Sequence, residues 1–173
     1  DPFCGTGSYL MEGIIMGKTA IGSDIEEWLV EYSDKNLYWT SRKFNTDSSY
    51  RLFTRDARFL TKELLPEKID AVVTEGFLGK AFDKAPTKEE KEIELRKLAN
   101  LHLNWLTAIH PLLPNEGKIV MCLTAYRGPA SIEFFPKLQE IAETAGYRIT
   151  DSFLYQRPDQ LVLREIKVLE KIY

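Results

Sequence analysis

Short apolar segments that predict β-strands alternate with amphipathic segments that predict α-helices along most of the chain. Apolar or alternating runs indicate strands, and apolar residues three or four positions apart indicate helices. The predicted strands are 20–24, 50–54, 69–74, 118–124, 147–155 and 161–169, and the predicted helices are 8–16, 25–39, 98–113 and 131–144. Such alternation favours an α/β fold with a doubly wound, mostly parallel sheet, and the spacing of the last two strands favours a C-terminal antiparallel hairpin.

Two central segments carry further expectations about burial. The run 69–74 is continuous and apolar with two adjacent valines, which predicts a strand buried on both faces of the sheet. The segment 81–97 is rich in Lys, Glu and Arg. We expect it to be either a solvated helix start or a mobile cover.

Composition restricts the class of protein. The chain has 173 residues, of which 44% are hydrophobic and 28% are charged, so we predict a single globular domain over 1–173. A formal net charge of −3 gives no overall positive field, so RNA binding would need a local patch or another segment. Cys4 and Cys122 make no metal-ligand spacing, and no apolar run is long enough to span a bilayer. We therefore expect no metal, no membrane association and a soluble protein of the reducing cytoplasm.

A glycine-rich loop at residues 1–7 comes directly before the first predicted helix. Gly5 and Gly7 would let the backbone approach a ligand closely, and the helix start would offer unpaired N–H groups. A tight structural turn would explain the same residues, so both interpretations stay open for this loop taken alone.

Acidic residues follow the next two predicted strands, at the sheet edge where a doubly wound fold binds its ligands. Asp24 could accept two hydrogen bonds from a ribose diol, cap the following helix, or do both. Asp56 could accept a hydrogen bond from an adenine amine while Ala57 leaves room for the ring, or it could be a surface residue of a charged loop. With Asp1, three carboxylates and a glycine loop meet at one edge, which favours a nucleoside ligand.

The sequence DPFCGTG at residues 1–7, followed by Leu10 and Glu12-Gly13, resembles the cofactor loop of class I S-adenosylmethionine-dependent methyltransferases. The motif is most similar to that of the tRNA guanine-N2 methyltransferases that carry THUMP domains. Residues 22–25 resemble the ribose-binding position of that family, 56–57 its adenine-binding pair, and 70–74 the strand that leads to its catalytic loop.

The resemblance implies a Rossmann-like methyltransferase fold with S-adenosyl-L-methionine as its cofactor. It implies that the two loop glycines approach the amino-acid end of the cofactor, with acidic residues on the ribose and the adenine. The cofactor-binding residues implied in this way are Asp1, Phe3, Gly5, Gly7, Asp24, Ile25, Asp56 and Ala57.

The predicted catalytic loop departs from the pattern of the family. Relatives that methylate exocyclic amines carry Asp or Asn, two prolines and an aromatic residue, whereas this chain has EGFLG at residues 75–79. By the resemblance, Glu75 is the acceptor for the amine and Phe77 is the ring that could stack on the base. A loop adapted to another nucleophile, or one without catalytic activity, is the alternative interpretation.

The leading hypothesis is methyl transfer to RNA, with tRNA as the acceptor and a guanine exocyclic amine as the target. One alternative is a catalytically silent cofactor-binding module in an RNA-modifying assembly. Another is a methyltransferase for DNA or for a small molecule. Arg127 and Gly128 follow the strand 118–124 and could contact a substrate phosphate, but surface arginines are common.

Five aromatic or imidazole side chains are assigned to packing rather than to chemistry. Trp28, Trp39 and Trp105 fall on predicted helix faces, which favours a place in the core. His102 and His110 fall in the long helical stretch, where a structural histidine is more common than a catalytic one.

In this fold the glycine loop follows the first, central strand, and that strand is missing from the sequence, which starts at the loop. A doubly wound sheet without its middle strand would leave backbone groups unpaired. We expect the chain to be a fragment, with that strand and an RNA-binding THUMP region upstream. A strand from another chain, in an obligate oligomer, is the alternative.

Overall fold

The computed structural model describes residues 1–65, 68–80, 82, 86–128, 131–157, 160 and 162–172. The four helices of these residues are α1 (Ser8–Ile15), α2 (Glu27–Phe44), α3 (Lys88–Ile109) and α4 (Leu138–Thr144). The strands are β1 (Ala20–Asp24), β2 (Tyr50–Thr54), β3 (Ala71–Thr74), β4 (Lys118–Arg127), β5 (Ile132–Glu133), β6 (Tyr147–Tyr155) and β7 (Val162–Lys171). Short 3₁₀ turns lie at Ala57–Phe59 and His110–Leu112.

The strands form two sheets. β1 and β2 pair in parallel, and a five-stranded sheet has the order β3-β4-β7-β6 with β5 on β4. β3 and β4 are parallel, whereas β7 pairs antiparallel with both β4 and β6. The predicted α/β class and its C-terminal antiparallel hairpin are therefore confirmed.

The first residues of the chain lie along the edge of β1 that faces away from β2. The amino group of Asp1 donates to the carbonyl of Ile21 at 2.8 Å, and Ser23 N–H donates to the carbonyl of Asp1 at 3.0 Å. Cys4 N–H then donates to the carbonyl of Ser23 at 2.9 Å. Within the described residues no strand joins β1 to β3, which agrees with the expected gap at the middle of the sheet.

Helices cover opposite faces of the sheet. Met121 and Leu123 of β4 pack in one core with α3 and α4, and Cys122 between them points to the other face because side chains alternate along a strand. Tyr9 of α1 lies beside Cys122 on that other face and forms a side-chain hydrogen bond with it. The doubly wound arrangement is thereby confirmed.

Close packing of α1 on β1 requires a glycine. A Cβ atom on Gly22 would overlap Leu10 of α1 and would lie 3.0 Å from Leu52 Cδ2 and 3.1 Å from Cys4 Cβ. Leu10 and Cys4 belong to a second, smaller core with Ile14, Ala20 and Leu37. Gly22 therefore brings the cofactor-loop segment and α1 directly onto the strand.

The prediction of a helix over 131–144 is wrong for its first part. Ile132 and Glu133 pair antiparallel with the end of β4, and α4 begins only at Leu138. Pro136 disfavours helical geometry in the residue before it, and Lys137 has a φ of 58°, so the helix cannot start earlier.

The helix predicted for 98–113 begins at Lys88, inside the charged segment. Thr87 accepts a hydrogen bond from Glu90 N–H while the Glu90 carboxylate accepts one from Thr87 N–H, a capping box that fixes the start. A solvated helix start was therefore the right alternative for 88–97. Residues 81 and 83–85 of the segment lie outside the described residues, as do 158, 159 and 161 near the final hairpin.

The strand predicted at 69–74 begins at Ala71 and is not buried on both faces. Val72 and Thr74 are buried, whereas Ala71 is exposed and Val73 is 42% exposed. The described helices cover the Val72 face, where the main core lies, and leave the Val73 face partly exposed to solvent.

Core packing is confirmed for Trp105, which is 1% exposed, and wrong for Trp28 and Trp39, which are 56% and 58% exposed. The helical spacing of these two residues is right, but the buried face of α2 carries Ser33, Leu37 and Thr40 instead.

Both histidines have the structural role expected for them. His102 Nδ1 accepts a hydrogen bond from Trp105 Nε1 at 3.1 Å, and burial lowers the pKa of His102 to about 4. His110 stacks edge-on against Tyr147 with ring centroids 5.3 Å apart. Among the described residues, no helix has the length and apolar character needed to cross a membrane.

The contact between α1 and β1 generates a stability prediction. We expect Gly22→Ala to lower the free energy of unfolding by about 1–3 kcal/mol, because the added methyl group overpacks the site. Gly13→Ala is the matched control, since its Cβ would meet only Ala20 Cβ at 4.0 Å and alanine is the better helix former. Thermal and urea unfolding measure both variants, and equal destabilisation by the two would contradict the packing account.

Candidate functional site

The glycine-rich loop at residues 1–7 is held at the sheet edge by one carboxylate. Asp24, the last residue of β1, accepts a hydrogen bond from Gly5 N–H at 2.9 Å through Oδ2. It accepts another from Glu26 N–H at 3.1 Å through Oδ1, just before α2 begins. Asp24 therefore joins the loop, the strand and the start of the next helix, and each carboxylate oxygen keeps a lone pair for a ligand.

Glycine is required at two positions of the loop. Gly5 has a φ of 51° and Gly7 a φ of 90°, both in the left-handed region. A Cβ on Gly7 would also lie 2.5 Å from Ser33 Oγ of α2, whereas one on Gly5 would meet nothing within 4 Å. The backbone at Gly5 thus borders open space that a ligand could enter.

The start of α1 offers backbone donors next to this space. Gly7 is the N-cap residue and has no side chain to accept from the first N–H groups of the helix. Phe3, on the other side of the loop, packs edge-on against Trp105 with centroids 5.6 Å apart, and Phe3 N–H donates to Asp1 Oδ1 at 3.0 Å. Both anchors hold the loop backbone in place.

Asp56 and Ala57 follow β2, the neighbour of β1. The Asp56 carboxylate accepts from Arg58 Nη2 at 2.6 Å, and its Oδ1 accepts from Arg58 N–H at 2.9 Å. These hydrogen bonds from Arg58 lower the pKa of Asp56. Ala57 is buried in the main core, and Arg55 N–H donates to the Asp24 carbonyl at 2.8 Å, which brings the two acidic loops together.

The predicted catalytic loop begins at the end of β3. Glu75 Oε1 accepts from Arg164 Nη2 of β7 at 2.8 Å, and Oε2 forms no hydrogen bond to a described residue. Phe77 is 52% exposed, so its ring is free to stack on a ligand. Glu75 and Phe77 both remain predictions as catalytic residues, and this geometry is compatible with them.

The rest of the loop is fastened at its ends. Gly76 N–H donates to Thr74 Oγ1 at 3.1 Å, and Thr124 Oγ1 of β4 donates to the carbonyl of Leu78. Lys80 N–H donates to Glu94 Oε1 of α3 at 3.0 Å. Gly76 and Gly79 take φ values of 70° and 93°, in the left-handed region that favours glycine.

Three residues that the sequence reasoning missed surround Glu75. Tyr9 comes from the first turn of α1, Cys122 from β4 and Arg164 from β7. Burial, Cys122 and Glu75 together raise the pKa of Tyr9 to about 12. Burial and Glu75 raise the pKa of Cys122. Both groups are therefore protonated near neutral pH, and Tyr9 links the glycine-rich loop to the Glu75 loop.

Sequence offers little signal for this cluster. Glu75 and Arg164 are 89 positions apart, and only the pairing of β7 with β4 brings them together. Tyr9 could have been found from its position in the first turn after the glycine loop.

The remaining predicted residues lie outside this cluster. Ile25 is 61% exposed. Arg127 donates to Gln156 Oε1 at 3.1 Å and to the Arg157 carbonyl at 3.3 Å, so its guanidinium ties the end of β4 to the hairpin loop. Gly128 N–H donates to the Ser131 carbonyl at 3.0 Å in a turn.

Comparison with known proteins gives sequence relatives of one kind. The chain is 33% identical over 126 residues to the tRNA (guanine(10)-N2)-dimethyltransferase of Methanothermobacter thermautotrophicus, covering 73% of this chain and 32% of that protein. It is 27% identical over 171 residues to the protein of the same name from Pyrococcus abyssi, covering 98% and 44%. The chain thus spans less than half the length of these curated relatives. No family model matches the chain.

Solved structures share the fold at low sequence identity. The 1,6-didemethyltoxoflavin-N1-methyltransferase of Burkholderia thailandensis, with bound S-adenosylhomocysteine, is 16% identical with a TM-score of 0.67, covering 100% of this chain and 70% of that chain. TrmN from Thermus thermophilus is 17% identical with a TM-score of 0.63, covering 99% and 43%. These structures confirm the predicted class I methyltransferase fold.

The thiols of the site generate a prediction about pH. Burial and, secondarily, Asp24 raise the pKa of Cys4 to about 11, and the pKa of Cys122 is also raised. Because a raised pKa leaves less thiolate at neutral pH, we expect slow alkylation by iodoacetamide at pH 8 and a rate that climbs as pH approaches 11. Mass spectrometry of Cys122→Ser follows Cys4 alone, with urea-unfolded protein as the reference. Equal rates for folded and unfolded protein at pH 8 would refute this.

Proposed function

The chain has the class I S-adenosylmethionine-dependent methyltransferase fold and is related in sequence to tRNA guanine-N2 dimethyltransferases, and from this premise we propose that it is the catalytic domain of a tRNA guanine-N2 methyltransferase. The observation that carries the proposal is the juxtaposition of the Asp24-anchored glycine loop with the Glu75 loop through Tyr9. A cofactor loop and an amine acceptor need this proximity for methyl transfer.

The residues of the glycine loop fit S-adenosyl-L-methionine as the cofactor. The open space at Gly5 and the uncapped start of α1 suit the amino-acid end, where N–H groups would meet a carboxylate. Asp24 keeps acceptor capacity for the ribose hydroxyls, and Asp56 with Ala57 would receive the adenine. Bound there, the cofactor would supply a methyl group already activated by its sulfonium.

Catalysis by the chain itself would consist mainly of positioning. Glu75 Oε2 would accept a hydrogen bond from the guanine amine, hold its lone pair toward the methyl group, and take the proton that the amine loses. Arg164 fixes Glu75 through Oε1, and the exposed ring of Phe77 would stack on the base. The high pKa of Tyr9 keeps its hydroxyl a hydrogen-bond donor beside Glu75.

The acceptor RNA and the rest of the protein belong to the proposal as well. We propose that this domain works in the cytoplasm within a longer protein whose upstream region, of THUMP type, supplies RNA affinity. The net charge of −3 on this chain supports a division of labour of that kind. A groove of about 440 Å³ is lined by Arg58, Arg96 and Lys97; because Arg58 pairs with Asp56 and Lys97 with Glu94, Arg96 would supply the charge that contacts an RNA phosphate there.

One observation favours a second candidate function. Gly76 and Leu78 stand where methyltransferases of exocyclic amines carry a proline and an aromatic residue, so the loop lacks part of the stacking surface. A module that binds the cofactor and serves an RNA-modifying assembly without transferring methyl groups is therefore the alternative.

Methyl transfer from labelled cofactor to unmodified tRNA tests the proposal on the full-length protein. We expect incorporation into the exocyclic amine of a guanine, and a loss of about 10²-fold or more in rate with Glu75→Gln, because the amide accepts no proton. Glu140→Gln, at an exposed position on α4, is the control and keeps the rate. Cofactor binding by calorimetry without transfer to any RNA would favour the silent module, and transfer by Glu75→Gln at the normal rate would remove Glu75 from the mechanism.

Arg164 generates a separate prediction as a positioning residue. We expect Arg164→Gln to lower kcat by about 10-fold with little change in KM for the cofactor, because the Glu75 carboxylate loses its partner. Arg164→Lys should recover part of kcat, since an ammonium can still pair with Oε1. A fall in folding stability that accounts for the lost activity, or no recovery with lysine, would argue for a purely structural role.

A further inference from the structure

The solvent face of α2 carries a row of exposed aromatic rings. Trp28, Tyr32 and Trp39 are 56%, 52% and 58% exposed, and Lys35 between them is exposed as well. Their spacing of three or four positions places these four residues, here named the α2 stripe, on one line along the helix. A contiguous apolar patch of this kind on a soluble domain marks an interaction surface.

Contacts between neighbouring side chains hold the rings of the stripe in place. Trp28 and Tyr32 meet edge-on with centroids 6.1 Å apart, and Lys35 Nζ lies 5.1 Å from the centre of the Tyr32 ring. Trp39 meets Phe44 edge-on at 6.4 Å. The row is thus a preformed surface, and its ordering cost on binding is small.

Charge is distributed unevenly along the same helix. Glu27 and Glu31 flank the N-terminal half of the stripe, and Arg42 and Lys43 follow its C-terminal half. All four side chains are exposed, and none of them forms an ion pair or a hydrogen bond with a described residue. One end of α2 is therefore acidic and the other basic, with unsatisfied charges at both.

We propose that the α2 stripe binds the α2 stripe of a second copy of this chain, antiparallel across a two-fold axis. The order along the stripe, aromatic, aromatic, lysine, aromatic, is symmetric in position about the midpoint between residues 33 and 34. Trp28 then faces Trp39 of the partner subunit, and Tyr32 faces Lys35 of the partner subunit. A two-fold interface needs a self-complementary surface of this form.

The charges support a second copy over other occupants. The antiparallel arrangement places Glu27 opposite position 40 of the partner subunit and Glu31 opposite position 36, so the acidic half of each helix lies along the half of the other that carries Lys35, Arg42 and Lys43. An RNA backbone would meet Glu26, Glu27, Glu31 and Asp34 along half of the stripe, where repulsion opposes binding. Aromatic anchors with charged pairs at the rim are typical of protein interfaces.

Analytical ultracentrifugation of the full-length protein tests the proposal. We expect a dimer in the micromolar range, and at least a 100-fold weaker association for Trp28→Ala combined with Trp39→Ala. Phe153→Ala, which removes a 57% exposed ring on β6, is the matched control and keeps the dimer. A wild-type protein that stays monomeric up to about 100 µM would overturn the proposal, because its dimer dissociation constant would then be far above the expected micromolar value.

Charge reversal tests the antiparallel arrangement itself. Arg42→Glu with Lys43→Glu makes the C-terminal end of α2 acidic, and Glu27→Lys with Glu31→Lys replaces two acidic residues of its N-terminal half by basic ones. Each variant alone should dimerise at least 10-fold more weakly. Mixing the two should restore association as a heterodimer. Failure of the mixture to associate would overturn the two-fold model, as would a loss of tRNA binding with an unchanged oligomeric state in the stripe variants.

Discussion

The two hydrogen bonds that Asp24 accepts hold the candidate site together. One comes from the glycine-rich loop at Gly5 and the other from Glu26 just before α2, while Asp24 itself belongs to β1. Three elements that are separate in the sequence are thereby joined at one carboxylate. The same residue is the proposed ligand for the ribose, so support and recognition depend on different lone pairs of one group.

Much of the fold could be predicted from local sequence patterns. The sequence predicts β1, β2 and β6 with the bounds that the structure has, because each is a short apolar or alternating run between turn residues. It predicts α2 as a helix but misplaces Trp28 and Trp39, since periodicity identifies a helix without saying which face meets the sheet. Ser33 and Thr40 are small enough to be buried there, and nothing local marks them as core residues.

Some residues of the candidate site could likewise be predicted from the sequence, and others could not. The positions of Gly5, Gly7, Asp24 and Asp56 follow from strand ends and from the resemblance, because they lie close to one another in short loops. The position of Arg164 in the site could not be predicted in this way, because its ion pair with Glu75 depends on the pairing of β7 with β4. Asp56 and Arg58 are only two positions apart, and their pairing fixes the geometry of the loop after β2.

The position of β7 has a consequence for how the chain acquires its structure during synthesis. β7 follows β6 in the chain, yet it lies between β4 and β6 in the sheet. Domains tend to fold from the N-terminus as the ribosome synthesises them, but here the edges of β4 and β6 that pair with β7 stay unpaired until β7 emerges. The nascent polypeptide therefore has an aggregation-prone interval before β7 is synthesised, in which a chaperone that shields strand edges would raise the yield of folded protein.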